Sequence, residues 1–216
     1  QSQLRVDLDT RPIPTMGVRV GGAFERLSYR NLFQTGGTEF GSGEGDGWLL
    51  GTYAQTSWSR PREWVLEVGL RFDAWSPDPG DRIFELAPRL AAKRFFDGGD
   101  VAVKVAAGRY TQFLHSLRDE ELPLGLDIWV LAGASAPHMV SDQLQLGVEG
   151  YRDIDWFWSI EAYVRSFDGV VTLNVADDPN DDFDDILSGD GLSYGADLLL
   201  RKETGDVNGW IAVSFL

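Results

Sequence analysis

The chain has 216 residues, no cysteine and a formal net charge of -15 at pH 7. Without cysteine it has neither disulfides nor thiolate metal sites, and so acidic a chain lacks the basic surface that binds nucleic-acid phosphates. Its apolar runs are shorter than the roughly 18 residues of a membrane helix, so this sequence can span a membrane only as a closed β-barrel.

Apolar and polar residues alternate from end to end, which is the period of a β-strand. The alternation predicts ten strands, at residues 1–8, 15–29, 47–58, 63–75, 82–95, 101–110, 143–151, 156–167, 191–203 and 209–216. It is clearest at 63–75, where Leu66 and Leu70 share one face and Glu67 and Arg71 the other. Several strands exceed the roughly 5–6 residues usual in soluble sheets and suit a tilted membrane strand of about 9–11.

The connections between the predicted strands alternate in length. Short ones fall at 9–14, 59–62, 96–100, 152–155 and 204–208, and between them come 30–46, 76–81, 111–142 and 168–190, three of which are long. Short turns at one rim and long loops at the other are typical of outer-membrane barrels. The glycine-rich segment 36–47 is predicted to be a flexible loop and not a phosphate-binding loop, because no Lys-Ser or Lys-Thr follows it.

Tryptophans fall at the ends of the predicted strands. They are Trp48, Trp58, Trp64, Trp75, Trp156 and Trp158. Since tryptophan and tyrosine collect where a bilayer meets water, we predict that these residues form aromatic belts. The alternative is that they are core aromatics of a soluble sheet.

The polar positions of the strands carry many charges. The charges predicted to face a barrel lumen are Glu67, Arg71, Asp73, Arg89, Lys93, Glu161 and Arg201, together with Glu85, Lys104, Glu149, Arg165 and Asp197. If the opposite face meets lipid, these side chains must line water or contact a plug inside the barrel. If the protein is instead a soluble sheet, they form its solvated exterior.

An ordered set of short segments resembles a known family. The segments are Tyr53-Ala54-Gln55-Thr56-Ser57-Trp58, Gly69-Leu70-Arg71-Phe72-Asp73, Pro88-Arg89, Gly108-Arg109-Tyr110-Thr111-Gln112-Phe113, Gln143, Gly147-Val148-Glu149 and Gly195-Ala196-Asp197-Leu198. Over roughly residues 47–213 they resemble the barrel of TonB-dependent outer-membrane receptors. The stretch from Leu122-Pro123 to Asp127-Ile128-Trp129-Val130 is similar to a loop of the subgroup that carries a carboxypeptidase-like regulatory domain.

The resemblance implies an all-β fold, an antiparallel transmembrane β-barrel. Residues 1–216 would be a partial barrel domain of about ten strands, out of twenty-two in the family, without the plug or the closing strands. It also implies a location in the bacterial outer membrane and uptake of a scarce ligand through the barrel. The partners would be outer-membrane lipid and lipopolysaccharide, the plug of the same full-length protein and a TonB-type energy-coupling complex.

Two groups of loop residues are candidate ligand sites. His115, Trp129 and His138 lie in the long segment 111–142 and are predicted either to contact a ligand or to pack the loop. The acidic residues at 177–185 could give oxygen ligands to calcium, but their spacing is not that of an EF-hand, and the alternatives are a solvated acidic loop or one bridged to lipopolysaccharide by divalent ions. The candidate metal ligands among them are Asp181, Asp182, Asp184 and Asp185.

The sequence favours no catalytic centre and no cofactor. His115 adjoins Ser116 and His138 is near Ser141, but the chain has no nucleophile elbow and no spaced acidic partner for a serine hydrolase. Two alternatives to an uptake receptor stay open: a passive porin or fatty-acid-type barrel, and a soluble β-sandwich binding module.

Overall fold

The computed structural model describes residues 2–35, 38–118, 127–153, 155–174 and 186–216. These residues form strands β1 (Ser2–Ile13), β2 (Met16–Thr35), β3 (Thr38–Arg60), β4 (Trp64–Asp78), β5 (Ile83–Phe96), β6 (Val101–Gln112), β7 (Leu114–Arg118), β8 (Asp127–Leu131), β9 (Met139–Arg152), β10 (Trp156–Leu173), β11 (Ile186–Lys202) and β12 (Gly209–Phe215), with a 3₁₀ turn at Asp97–Gly99. No helix in this described part of the chain is both long enough and apolar enough to cross a membrane.

Ten of the strands form one antiparallel sheet in the order β1-β2-β3-β4-β5-β6-β9-β10-β11-β12. Each strand pairs with the next one along the chain, except that β6 pairs with β9 and the hairpin β7–β8 lies between them in sequence. The sheet is not closed, and β1 and β12 are its edges. The predicted all-β antiparallel architecture and all ten predicted strands are confirmed.

The predicted loop at 30–46 is wrong. β2 continues to Thr35 and β3 begins at Thr38, so most of the glycine-rich segment is strand, while residues 36 and 37 lie outside the described part. Tyr29 explains why: it is directly opposite Gly45, and a Cβ on Gly45 would lie 2.7 Å from the Tyr29 ring. An aromatic ring that covers a cross-strand glycine offsets the poor strand propensity of glycine.

The other connections predicted on that side are shorter than expected. β4 and β5 leave only 79–82 unpaired, and β10 and β11 leave 174–185, of which the structure describes residue 174. The segment 111–142 is not a plain loop, because it contains β7 and β8. The turns of the opposite rim are short, as predicted. We call the two rims the short-turn end and the long-connection end.

The two faces of the ten-stranded sheet differ sharply. One, the apolar face, carries large exposed side chains along its length, among them Leu4, Val6, Phe24, Leu50, Leu70, Phe84, Leu86, Leu146, Ile160, Leu192 and Tyr194. The opposite, polar face carries the predicted lumen charges, since cross-strand registers such as Asp73 opposite Glu85 and Glu161 opposite Asp197 align them. No second sheet covers the apolar face within the described residues, so the two-sheet sandwich alternative does not fit.

The sheet curves around its polar face. The hairpin strand β8 contacts β2 and β3, whereas β7 contacts β10, with Cα atoms within 8 Å. Five strands separate β2 from β10, which is about 29 Å along the sheet at ~4.8 Å per step. Two adjacent strands with 8 Å contacts on either side reach only about 21 Å. The polar face is therefore concave.

Trp75 is not a belt residue, contrary to the prediction. It is 0% exposed on the polar-face side, whereas Trp48 and Trp156 are 42% and 39% exposed on the apolar face. The reason is its odd position in β4, which it shares with Arg71 and Asp73 and not with Leu70. Alternation, and not nearness to a strand end, decides which face a tryptophan occupies.

Candidate functional site

A row of alternating charges crosses the polar face towards the short-turn end. Lys104 Nζ donates a 2.9 Å hydrogen bond to Glu149 and is also paired with Glu161, while Lys93 pairs with the other oxygen of Glu149. Gly147 is directly opposite Lys104, and a Cβ there would lie 2.7 Å from the lysine Cε. We call Lys93, Glu149, Lys104 and Glu161 the charge row. Its two cations and two anions neutralise each other.

A second pair of charges lies nearer the long-connection end. Arg71 donates two hydrogen bonds to Asp73, of 2.8 Å from Nε and 2.6 Å from Nη2. Asp73 is only 2% exposed and also accepts a 3.2 Å bond from the Thr111 hydroxyl. Gly51 leaves room for the guanidinium, since a Cβ there would lie 2.3 Å from Nη2. This buried carboxylate is fully paired.

The remaining predicted lumen charges make local contacts on the same face, and Arg201 is ion-paired with Glu203. Glu67 accepts a 3.5 Å bond from Gln55. The guanidinium of Arg89 lies 4.5 Å above the Tyr110 ring, and that of Arg201 lies 4.9 Å above the Phe157 ring. All seven predicted residues therefore share the polar face, but the structure divides them into separate clusters and not one ring.

The strands β7 and β8, which we call the inner hairpin, cover the long-connection end of the polar face. Trp75, Phe113, Leu131 and Ala132 form a buried cluster against Leu27, Tyr29, Leu49, Ile83 and Leu114. The Trp75 indole donates a 2.8 Å hydrogen bond to the Ala132 carbonyl and stacks on Phe113 at 5.7 Å. The inner hairpin is thus attached to the wall by a packed hydrophobic cluster and by the hydrogen bond from Trp75 to Ala132.

A second cluster attaches the other side of the inner hairpin. Leu117, Val130 and Ala136 are buried, and the partly buried residues packed against them are Ile128, Val171, Leu173 and Ile186. The last three belong to β10 and β11. The inner hairpin therefore crosses the concave face from β2–β5 to β10–β11 and narrows it at this end.

Asn31 binds strand β8 of the inner hairpin through the backbone of Trp129. Its amide nitrogen donates to the Trp129 carbonyl at 2.8 Å, and its oxygen accepts from the Trp129 N–H at 3.3 Å. Trp129 itself is 43% exposed. Of the three predicted ligand contacts, it is the most exposed.

The two histidines have partners inside the fold. His115 is 4% exposed, and its Nε2–H donates a 2.8 Å hydrogen bond to the Pro137 carbonyl. Burial lowers the pKa of His115, and nearby His138 lowers it further, although the bond to Pro137 acts the other way. The buried His115 ring packs within the fold through its bond to the Pro137 carbonyl.

His138 lies in the connection between β8 and β9 and links it to β5. Its Nε2 lies 2.8 Å from Glu85 Oε1, and its ring stacks on Phe113 at 5.8 Å. The side chain keeps 23% of its exposure. His138 thus joins a wall carboxylate to the hydrophobic cluster, and it is the second of the predicted contacts that water can still reach.

Comparison with solved structures identifies the fold. The siderophore receptor PirA from Pseudomonas aeruginosa matches with a TM-score of 0.69 and 13% identity over 98% of this chain. An apoprotein form of the FrpB iron transporter from Neisseria meningitidis gives 0.70 and 12% over 98%, and PirA from Acinetobacter baumannii gives 0.64 and 12% over 99%. No protein-family model and no curated protein sequence matches the chain.

The chain has the fold of part of an outer-membrane receptor barrel. It spans 42%, 35% and 36% of the lengths of those three structures, which agrees with a sheet that is not closed. In such a barrel, strand alternation directs the apolar face outwards and the polar face inwards. The charge row, the Arg71–Asp73 pair and the inner hairpin all lie on the polar side of the sheet.

Metal binding finds no support in the described residues of this barrel segment. They contain no group of three or more histidine and carboxylate side chains that could hold an ion. The predicted ligands Asp181, Asp182, Asp184 and Asp185 lie outside the described residues.

Sequence reasoning missed the residues that fix the inner hairpin. Asn31 was inside a predicted loop, and nothing local to it signals a partner 98 residues away. Trp75 carried a usable signal, because its parity in β4 already put it on the charged face. The strands β7 and β8 have only 5 residues each, too few for alternation to identify them in a long segment.

Proposed function

We propose that this chain is part of the barrel of an outer-membrane receptor that takes up a scarce ligand with TonB-supplied energy. One observation carries the proposal: the face left uncovered is the apolar one, whereas the charged face is concave and partly covered by the inner hairpin. A water-soluble sheet would reverse this, since burying apolar and solvating charged side chains is favourable. The likeness to solved receptors supports the same conclusion.

The proposed location is the bacterial outer membrane. There the apolar face meets lipid, the short-turn end faces the periplasm, and the long-connection end faces outwards, where lipopolysaccharide surrounds it. The length of β2 and β3, 20 and 23 residues, supports this orientation, because strands that long extend well beyond a span of about 9–11 residues.

The proposed partners act on the polar face. A plug domain of the same full-length protein would contact the charge row and Arg89, and a TonB-type complex would move that plug. Because the charge row is neutral overall, we expect it to offer the plug exchangeable hydrogen bonds rather than a strong net field.

The ligand enters past the inner hairpin, with Trp129 as its proposed first aromatic contact. Cobalamin, peptides and glycans are compatible with such a surface. An iron–siderophore complex is the first ligand to test, because the similar structures are a siderophore receptor and an iron transporter.

We propose a transport role and no catalysis. The similar proteins are transport receptors, and neither described histidine is hydrogen-bonded to a serine. His115 is bonded to Pro137 and His138 to Glu85. The serine–histidine pairs considered from the sequence are therefore not formed.

The test uses two adjacent residues on opposite faces of β9. Leu146 is 52% exposed on the apolar face, while Gln145 donates to Glu161 on the polar face. In the full-length protein, Leu146→Lys should reduce membrane insertion by about 2–4 kcal/mol if it lies near the bilayer midplane. Gln145→Lys should be tolerated, because a lysine there can still donate to Glu161.

Insertion is read from outer-membrane fractionation and from gel mobility before and after boiling. Uptake is then read from growth on ferric siderophore as the iron source, with and without TonB. Uptake without TonB would favour a passive porin or fatty-acid-type barrel. A soluble protein in which Gln145→Lys is the damaging change would overturn the barrel proposal.

A further inference from the structure

A repeated arrangement of side chains borders the apolar face at the short-turn end. Trp156 opens β10, and its cross-strand neighbours are Arg152 on β9 and Lys202 on β11. Strand alternation puts all three on the apolar face, and Lys202 Nζ lies 5.8 Å from the centre of the Trp156 ring. A similar set occurs earlier in the chain, so we call this one the second cation–tryptophan row.

The first cation–tryptophan row lies on three other strands. Trp64 opens β4, and its neighbours are Arg60 on β3 and Arg94 on β5. Each row therefore has a tryptophan at the start of a strand with one cation on either side. In the first row, Arg60 is also paired with Glu63 at 3.1 Å. Among the described residues, the first row therefore has one cation without an ion pair, Arg94, whereas the second row has two such cations.

The other end of the same face shows what these cations lack. There the arginines are each paired with a carboxylate on the neighbouring strand: Arg26 with Asp46 at 3.1 Å, Arg30 with Glu44 at 3.1 Å, and Arg109 with Asp142 at 2.7 Å. Arg26 also lies beside a tryptophan, Trp48, at 5.4 Å from its ring, so the difference at the short-turn end is that the cations of the second row have a tryptophan neighbour but, among the described residues, no carboxylate partner. The contrast is pronounced because carboxylates outnumber cations in this chain, 34 to 19.

The nearby carboxylates do not neutralise the second row. Asp155 accepts from Thr204, and Glu203 is paired with Arg201, which faces the polar side. Asp153 lies in the turn between β9 and β10 and is in no ion pair among the described residues. The two cations thus border an apolar surface, and no carboxylate in the described part of the chain is paired with them.

The surface beside the second row suits an acyl chain. The Trp158 ring lies flat against Gly150, where a Cβ would come within 3.0 Å of it. Beyond it, Ile160 and Leu198 continue the apolar face across β10 and β11. A cation pair at the water boundary, an indole beside it and a flat apolar strip below match a molecule with an anionic head and a hydrocarbon tail.

We propose that the second cation–tryptophan row binds the headgroup phosphate of an anionic phospholipid in the periplasmic leaflet, and that the first row is a weaker site of the same kind. Arg152 and Lys202 hold the phosphate, Trp156 covers the glycerol region, and Trp158 contacts the acyl chain. This inference rests on the proposed function, because it requires the apolar face to be in lipid.

The experiment measures lipid retained by the purified full-length protein. Mixed micelles of phosphatidylglycerol and phosphatidylcholine are titrated, and bound lipid is counted by native mass spectrometry. The double variant Arg152→Gln with Lys202→Gln should bind phosphatidylglycerol about 30-fold more weakly. Arg94→Gln should have a smaller effect. The charge-conserving variant Arg152→Lys with Lys202→Arg should bind normally.

The matched control is Arg26→Gln, a cation on the same face whose carboxylate partner is already in place, and it should leave phosphatidylglycerol binding unchanged. Equal losses of phosphatidylcholine and phosphatidylglycerol, or no loss, would overturn the site. Displacement of the lipid by inorganic phosphate at similar concentration would assign the row to free anions instead. Gel mobility of each sample separates these results from failure of the proposed function, in which the wild-type protein itself does not insert.

Discussion

The two ends of the polar face are stabilised by different forces. At the long-connection end, Trp75, Phe113 and Leu131 are at most 8% exposed and form a packed core. At the short-turn end, the side chains of the charge row remain 18–32% exposed and interact as ion pairs. Burial of a large side chain contributes about 1.5–3 kcal/mol, whereas a water-accessible ion pair contributes about 0–1 kcal/mol.

The difference indicates where single side chains matter. In the barrel wall the backbone ladder between strands carries most of the order, so individual charges on it are replaceable. The inner hairpin has only two short strands of its own, and a two-stranded hairpin is marginally stable in water. Its position must therefore depend on the few side chains that pack it against the wall.

The strongest test removes the centre of that packing. Trp75→Ala should destabilise the attachment of the inner hairpin by about 3–5 kcal/mol, because it removes both the buried ring and its hydrogen bond to Ala132. Amide hydrogen exchange at Val130 and Leu131 should rise while β9 and β10 stay protected. The control is Trp48→Ala on the apolar face. Unchanged exchange in Trp75→Ala would mean that the hairpin is held by other contacts.

A second test concerns Asp73, a buried carboxylate of the wall. Asp73→Asn leaves the Arg71 guanidinium without its anion and should cost about 2 kcal/mol, less than a fully buried pair because Arg71 keeps 30% of its exposure. The midpoint of heat-induced loss of fast gel mobility should fall. Asp46→Asn, in the exposed pair with Arg26, should change it far less. Equal effects would show that burial of Asp73 does not matter.

Acid should loosen the attachment of the inner hairpin. The pKa of His115 is lowered by burial, so the unfolded or detached state binds the proton more readily. The stabilisation is complete above the ordinary histidine pKa of about 6.5, and it is lost as pH falls from there through the lowered folded-state value. Exchange at Leu117 should therefore rise below about pH 6.5, and His115→Gln should flatten this dependence. A dependence that persists in His115→Gln would show that His115 is not its source.

The smallest expected effect lies in the charge row. Lys104→Gln should cost about 1 kcal/mol or less, because Glu149 keeps Lys93 and Glu161 keeps Gln145. A double-mutant cycle between Lys104 and Glu161, followed by gel mobility on heating at low and high salt, measures the coupling. A coupling near that of the packed core would erase the contrast between the two ends.

The strands of the barrel wall could be predicted from the sequence because the alternation of apolar and polar residues along each strand is local and periodic. Alternation over ten or more residues, as in Trp64–Asp78, fixes both the strand and its faces, and the short turns fix the antiparallel order. For the same reason, alternation puts Glu67, Arg71 and Arg89 on one face of the sheet, although it does not reveal how the charges divide into clusters.

The inner hairpin was not readable because it depends on contacts between distant segments. Asn31 and Trp129 are 98 residues apart, and Trp75 and Ala132 are 57 apart. The glycine-rich segment was wrongly predicted to be a loop for a related reason, since Tyr29 on the neighbouring strand covers Gly45. In each case the deciding partner is on another strand, where local propensity carries no information.

The sequential order of the wall strands has a consequence for how such a protein can change size. Every wall strand bonds to its neighbour along the chain, with only the inner hairpin interposed between β6 and β9. Removing or duplicating one up-and-down pair therefore leaves every other register and the assignment of faces intact. The number of wall strands can therefore change by one hairpin at a time. The inner hairpin limits such changes, because it contacts both β2 and β10 and so fits only one distance between them.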